Sequence, residues 1–388
     1  MSDSGTPSDA RRDPSEEGRT PRLDASFFFG QGWPYLLVPF IPAAIALDIA
    51  NASDAVVFIV SALAIIPTAA LMGRATEELA NRSGPGIGGL LNVTFGNAPE
   101  LIIALFALGE GLHEVVKATL IGSILGNILL VLGAAMFVGG LGREHQRFEA
   151  GGVSVQTSML LAGTGALVMP AIFQLVAGDG LPSVGPERFA FDNTIEVLSG
   201  LLAGILIVVY VAGLVFSLRT HRDIFNPEYV QEDTWNWSVR TSVLMLAIAG
   251  VAVAVMSEIL VGSLAAASES LGLSEFFIGA IVVAIVGNAA EHWVAVLVAH
   301  KDKMDLAVNI AVGSSAQIAL FVAPVLVMAA FFIGPAPMPL VFNGFELGGI
   351  VLAVLIANYV TQEGRSNWFE GVQLLAVYVI LALVFAFA

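Results

Sequence analysis

From residue 33 to the C terminus the chain is a succession of long apolar runs, each bounded by Gly, Pro or a small charged cluster. A helix needs roughly 20 apolar residues to cross a bilayer, and the hydrocarbon interior admits only segments whose backbone polar groups are bonded internally. The runs are long and do not alternate apolar with polar residues, so they read as helices and not as the strands of a barrel. Composition agrees: 57% of residues are hydrophobic, 12% are charged and the mean hydropathy is +0.85, whereas soluble domains carry about 25% charged residues. The expected fold class is an all-α polytopic membrane protein.

Apolar windows give eleven expected spans, at 34–50, 54–80, 84–110, 114–140, 153–178, 193–218, 238–266, 274–300, 304–334, 341–361 and 367–387. With an odd count the termini lie on opposite sides. If the N terminus is cytoplasmic, fourteen of the sixteen Lys and Arg residues fall on the inside, leaving Lys117 and Arg188 outside, a strong positive-inside bias. The expected location is the cell inner (plasma) membrane, with the C terminus outside. The first 25 residues are rich in Ser, Pro, Asp and Arg and have no apolar core, which excludes a cleaved signal peptide; residues 1–30 read as a disordered cytoplasmic tail. The chain has no cysteine, so neither a disulfide framework nor a thiolate metal site is available.

Gly96-Asn97-Ala98-Pro99-Glu100 matches Gly287-Asn288-Ala289-Ala290-Glu291 at an offset of 191, and Gly122-Ser123 matches Gly313-Ser314 at the same offset. The first motif falls in the third expected span and the second in the eighth. The chain therefore divides into an extra helix at 34–50, a five-helix repeat at 54–218, a cytoplasmic linker at 219–237 and a second five-helix repeat at 238–388. Because five is odd, the second copy enters the membrane inverted. Inverted repeats mark secondary transporters, whose substrate site lies near the midplane where the halves meet.

A carboxylate deep in a bilayer costs about 2.5–3.5 kcal/mol on insertion scales, so Glu100 and Glu291 each require a reason to be there. The three-residue spacing of Asn97 from Glu100, and of Asn288 from Glu291, puts an amide oxygen and a carboxylate on one helical face. Gly96, Pro99 and Gly287 loosen the helix nearby and free carbonyls, tolerated at that depth only where they line a cavity. Two carboxylates, two amides and some carbonyls form the hard oxygen set that Ca²⁺ prefers. The following spans add Ser123 and Asn127 from "GSILGN", and Ser314, Ser315 and Gln317 from "GSSAQ". With no third acid in the set, one divalent cation is neutralised by Glu100 and Glu291 alone. When no cation is bound these poorly solvated carboxylates are expected to hold protons, so cation and proton compete for the same oxygens and exchange follows. His292, directly after Glu291, is turned about 100° away on a helix and is a candidate proton relay.

Other acids read differently. Glu77 and Glu78, beside Arg74 and Arg82, read as an interfacial charge cluster. Glu258 lies deeper and is a candidate functional acid, whereas Glu196 and Glu346, close to helix ends, are expected to be structural. "EHWVAVLVAH" has no His-Glu-x-x-His, and no nucleophile stands at workable spacing from a base, so an enzyme is not expected. No cofactor or nucleic-acid partner is expected either: Ca²⁺ and H⁺ are transported substrates and the lipid bilayer is the surrounding partner.

"LLNVTFGNAPELIIALFAL", "GSILGNILLVLG", "FSLRTHRDIFNP", "GLSEFFIGAIVVAIVGNAAEHWVA" and "VGSSAQIALFVAP" resemble the calcium(cation)/proton exchangers of the calcium/cation antiporter superfamily, and the resemblance extends over essentially the whole chain from the first span. It implies alternating-access exchange of cytoplasmic Ca²⁺ for H⁺, with Glu100 and Glu291 as the cation- and proton-binding glutamates, Asn97 and Asn288 as their neighbours, and Asn127 and Gln317 as polar partners. The sodium/calcium branch is less similar, having an additional acid near the position of Gln317; a Na⁺-coupled or broad-specificity exchanger for Na⁺, K⁺ and Mn²⁺ is the alternative. Pro99 stands where the resemblance leads one to expect Thr, and Ala284 where it leads one to expect Pro. The 219–237 linker lacks the long acidic segment of eukaryotic members, which favours a prokaryotic one.

Overall fold

Residues 32–178, 180–184, 193–220 and 237–388 are described by the computed structural model; the expected tail at 1–30, Arg188 and nearly all of the linker lie outside the described residues. The described residues are almost wholly helical. In chain order the helices are α1 (Trp33–Ile49), α2 (Asp54–Phe95), α3 (Ala98–Gly109), α4 (His113–Gly140), α5 (Ala150–Ala177), α6 (Asn193–Val215), α7 (Val239–Leu271), α8 (Glu275–His300), α9 (Met304–Ala329), α10 (Gly344–Thr361) and α11 (Trp368–Ala386). Among the described residues nine segments are long and apolar enough to cross a membrane, while α1 and α3 are shorter.

The third expected span, 84–110, is not a single helix. Its first part continues α2, which runs for 42 residues to Phe95, and the break comes at Gly96 and Asn97. Pro99 causes it: proline has no N–H to donate to the carbonyl four residues back, that of Phe95, yet it suits the first turn of a new helix. A straight 42-residue helix would be about 63 Å long, far more than a hydrocarbon core. The chain bends instead: Gly88 lies directly against the carbonyl of Ala80, whereas eight residues along a straight helix are about 12 Å apart. The boundary expected near 81–83 is thus a sharp bend, and the interruption lies further on, beside Glu100.

Among the described residues there are four π-helical turns: Gly126–Val131 in α4, Phe216–Thr220 at the end of α6, Ile278–Val283 in α8 and Ile318–Val322 in α9. Such turns insert one residue into the hydrogen-bond ladder, re-aim the side chains beside them and are common at functional sites. Here they hold Asn127 and directly follow Gln317.

α4 and α9 form the middle of the bundle, with 78% and 67% of their most apolar windows buried, against 22% for α6 and α11. α2 lies along α7; α4 packs against the start of α8 and, further along, against α11; α9 packs against α5 and α8. Outward residues of the peripheral helices, such as Leu201, Val208, Ile380 and Leu383, are large, apolar and exposed, as a lipid-facing surface requires. At one end of the bundle Gln146 and Arg147 pair with Ser366 and Arg365 in a short antiparallel ladder, and Gln146 Nε2 donates to the Ala299 carbonyl at 3.1 Å. At the other end Gly111 meets Pro335 and Gly334 meets the Leu108 carbonyl, so the 330–343 connection covers the end of α3.

Candidate functional site

The break at Gly96 and Asn97 makes Asn97 the N-cap of α3 and Glu100 its third residue. Asn97 does not cap the helix with its side chain; its Nδ2 donates to Gln317 Oε1 on α9 at 2.6 Å. Glu100 is 6% exposed and stands in the first turn of a helix, where the exposed N–H dipoles favour negative charge. The expectation of Asn97 and Glu100 on one face of a continuous helix is corrected here: both stand at a helix start, because Pro99 ends the preceding ladder.

The second motif runs without interruption through α8. Asn288 is 1% exposed, and its Nδ2 donates to Ala284 O at 2.9 Å and to Ser123 Oγ on α4 at 3.2 Å. Glu291 Oε2 accepts a hydrogen bond from Ser314 Oγ on α9 at 3.2 Å. His292 Nε2 lies 3.1 Å from Asn127 Oδ1.

The two motifs face each other reciprocally. A β-carbon built on Gly287 would lie 3.4 Å from Glu100 Cγ, and one built on Gly96 would lie 3.8 Å from Glu291 Oε1. Each glycine leaves room for the glutamate of the other motif, and the two carboxylates act on one another electrostatically. The amide links cross in the same way: Asn97 reaches α9 in the second half, and Asn288 reaches α4 in the first. Asn97 Oδ1, Asn288 Oδ1 and Glu100 Oε2 are buried with no hydrogen-bond partner. A buried oxygen without a donor costs on the order of 1–3 kcal/mol, and three of them, from both copies of the motif, are ligands suited to a cation. Among the described residues no three of His, Asp and Glu converge in a metal-binding group, here or elsewhere, so neutral oxygens must make up the set.

Ser123, Ser314 and Gln317 thus each touch one of the two motifs, and Asn127 touches His292, the residue after the second. Glu258 touches neither motif; it is exposed on α7. Glu77 and Glu78 both pair with Arg74 at 3.4 Å, as the expected charge cluster requires, but they differ in burial. Glu78 is 2% exposed, pairs with Arg74 at 3.4 Å and accepts the Trp237 backbone N–H at 3.2 Å. Glu77 keeps half its side chain exposed. Gln156 on α5 was not a sequence candidate, yet its amide lies against Gly313, next to Ser314, and its Oε1 is buried without a partner. Its only signal was an amide in an otherwise weakly polar span.

A helical bundle that fills its middle with two acids and four amides from distant stretches of chain is built as a membrane transporter. The family described as sodium/calcium exchanger protein matches residues 53–219 and 241–387, and the chain belongs to that family. It is 47% identical over 374 residues to a Ca²⁺/H⁺ antiporter of Synechocystis sp., covering 91% of this chain and 96% of that protein. It is 45% identical over 355 residues to the Ca²⁺/H⁺ antiporter ChaA of Bacillus subtilis, covering 90% and 97%. The solved structure of native YfkE superposes with a TM-score of 0.77 at 42% identity, over 92% of this chain and all of that one. The H⁺/Ca²⁺ exchanger CAX shares the fold, with a TM-score of 0.69 over 93% of each chain at 15% identity.

Proposed function

We propose that the chain exports Ca²⁺ from the cytoplasm in exchange for entering protons, and that Glu100 and Glu291 bind either one Ca²⁺ or protons in turn. The reciprocal seating of each glutamate on the other motif's glycine carries this reading, because it makes two distant stretches into one site. With Ca²⁺ as substrate, the two carboxylates balance its charge while the free amide oxygens of Asn97 and Asn288 supply neutral ligands. Ser123, Ser314 and Gln317 orient those groups through the hydrogen bonds already described, and Asn127, which holds His292, is assigned to the same cation site. His292, bonded to Asn127, is assigned to proton coupling. The relatives' activity supports Ca²⁺ and H⁺ as the exchanged pair.

The architecture we assign is two inverted five-helix repeats, 54–218 and 238–388, preceded by the helix at 34–50, as eleven spans with a cytoplasmic N terminus in the cell membrane. The glycines support alternating access between them. Gly122 on α4 presses directly against the Ala280 backbone, and a β-carbon on Gly279 would lie 2.9 Å from the Val115 carbonyl. The offset of 191 takes this Gly122–Gly279 crossing to Gly313 and Gly88. That twin crossing is not made: Gly313 faces Gln156 and Gly88 faces Ala80. One crossing is closed and its counterpart open, the asymmetry that a two-state carrier requires.

The test is transport by the purified protein in proteoliposomes under an imposed pH gradient, offered Ca²⁺, Mn²⁺, Na⁺ and K⁺ in turn. Proton-driven Ca²⁺ movement is expected. Ca²⁺ movement that follows a sodium gradient and ignores the pH gradient would replace this reading by sodium coupling.

A further inference from the structure

Lys117 has the most unexpected placement in the molecule. It is 1% exposed on α4, far from water for an ammonium group. Its Nζ donates to the Val341 carbonyl at 2.9 Å and pairs with Glu114, which keeps 27% of its side chain exposed. Across the α4–α10 contact Lys117 and Glu114 both act on Glu346, which is 0% exposed. Glu346 Oε2 accepts the Asn343 backbone N–H at 2.7 Å, and Oε1 is buried with no partner.

Helix capping does not explain the arrangement. α11 begins with the same capping box, Asn367 with Glu370, part-buried at the other end of the bundle and not paired with a lysine. At α10 the box is sealed from water and faced by an ammonium and a second acid. With both acids ionised, the cluster would bury one uncompensated negative charge, which a membrane-spanning bundle strongly disfavours. One proton removes it. Glu114 already has the Lys117 ammonium, and Glu346 Oε2 already has a donor, so the oxygen left to take the proton is Glu346 Oε1. Of the other described helices at this end, α5 has no carboxylate, ammonium, guanidinium or imidazole along its length, and the acid of α11, Glu370, lies at the opposite end; α6, whose Ile195 shares an apolar cluster with Val341 and Leu347, adds the half-buried acid Glu196. α4 contributes Glu114, Lys117 and His113.

We propose that Glu346, with Lys117 and Glu114, forms a second proton-binding site at the 330–343 end of the bundle, separate from the Glu100–Glu291 pair. The proton adds to Glu346 Oε1 from water reached past Glu114 and leaves the same way, while Lys117 stays paired with Glu114. On the exchange proposed above, this end faces the proton-rich side, and the cluster loads the protons that enter. That role in exchange rests on the proton coupling proposed above, whereas the protonation itself does not.

Two measurements on the full chain separate these claims. Infrared difference spectra between low and high pH should show the carbonyl band of a buried protonated carboxylic acid that survives in a Glu100→Gln, Glu291→Gln double variant and vanishes on Glu346→Gln. In proteoliposomes, Glu346→Gln, which imitates the protonated acid, should flatten the response of Ca²⁺ transport to pH on the 330–343 side to less than about twofold over two pH units while leaving the KM for Ca²⁺ unchanged. A band that persists in Glu346→Gln, or a wild-type pH response in that variant, overturns the site. If the band vanishes but the wild type exchanges no protons for Ca²⁺, the site stands and the antiport reading falls. Should Glu346→Gln disturb folding, Lys117→Met keeps the cap and leaves two acids without their cation: the band should then persist to higher pH, and an unchanged titration overturns the proposal.

Discussion

The two copies of the Gly-Asn-Ala-x-Glu motif share four of five letters and differ in backbone. The first is split between α2 and α3, so Glu100 stands at a helix start; the second lies inside α8, so Glu291 stands mid-helix. Pro99 against Ala290 accounts for the difference, since only proline removes a ladder donor. The surroundings diverge accordingly. Glu100 is sealed and has a free carboxylate oxygen, whereas Glu291 is half-buried and tied to the Ser314 hydroxyl. A repeated motif therefore supplies two unlike halves: one carboxylate positioned by a helix terminus and shut in, the other positioned by a hydroxyl and only partly buried.

Exchanging the letters should break the comparison most severely. Ala290→Pro puts proline inside α8 and should cost about 3 kcal/mol or more of stability, with transport lost; thermal unfolding in detergent and vesicle uptake of Ca²⁺ measure both. Pro99→Ala restores a donor and should leave a folded protein with weaker Ca²⁺ binding, because Glu100 loses its place at a helix start. Next in size are the two glycine crossings. Gly122→Ala drives a β-carbon into the Ala280 backbone and should destabilise by about 1–3 kcal/mol, whereas Gly313→Ala makes only an ordinary 3.4 Å contact with the Gln156 amide and should cost less than about 1 kcal/mol. Equal costs would mean that the closed and open crossings are not distinct. Smaller again, Ser314→Ala removes a hydroxyl from a carboxylate, worth about 1.5–3 kcal/mol, and Ser123→Ala removes one from a neutral amide, worth about 1 kcal/mol; Ca²⁺ titrations should rank them in that order. Smallest is Glu258→Gln: this acid is exposed on α7, so exchange should stay within about twofold of wild type.

The helices and both site motifs were legible because membrane spans announce themselves by length and apolarity, and because a repeated Asn-x-x-Glu is rare in such runs. The position of the break was harder to read. Proline acts on the carbonyl four residues back, so the helix ends at Phe95 while the apolar run continues across it. Gln156 was missed, and the burial of Glu78 was not visible, because their environments draw on distant segments: Gly313 in one case, Trp237 in the other. Lys117 was counted as an outside-loop charge, and nothing near it in sequence announces the Val341 carbonyl that holds it in the interior.

The most direct test of a single shared site is calorimetric Ca²⁺ binding to the purified protein in two buffers of different protonation enthalpy, which counts the protons released per Ca²⁺ bound. Wild-type protein should release protons on binding, and Glu100→Gln and Glu291→Gln should each abolish tight Ca²⁺ binding in a protein that remains folded. Wild-type affinity in either variant, or binding that releases no protons, would contradict the account.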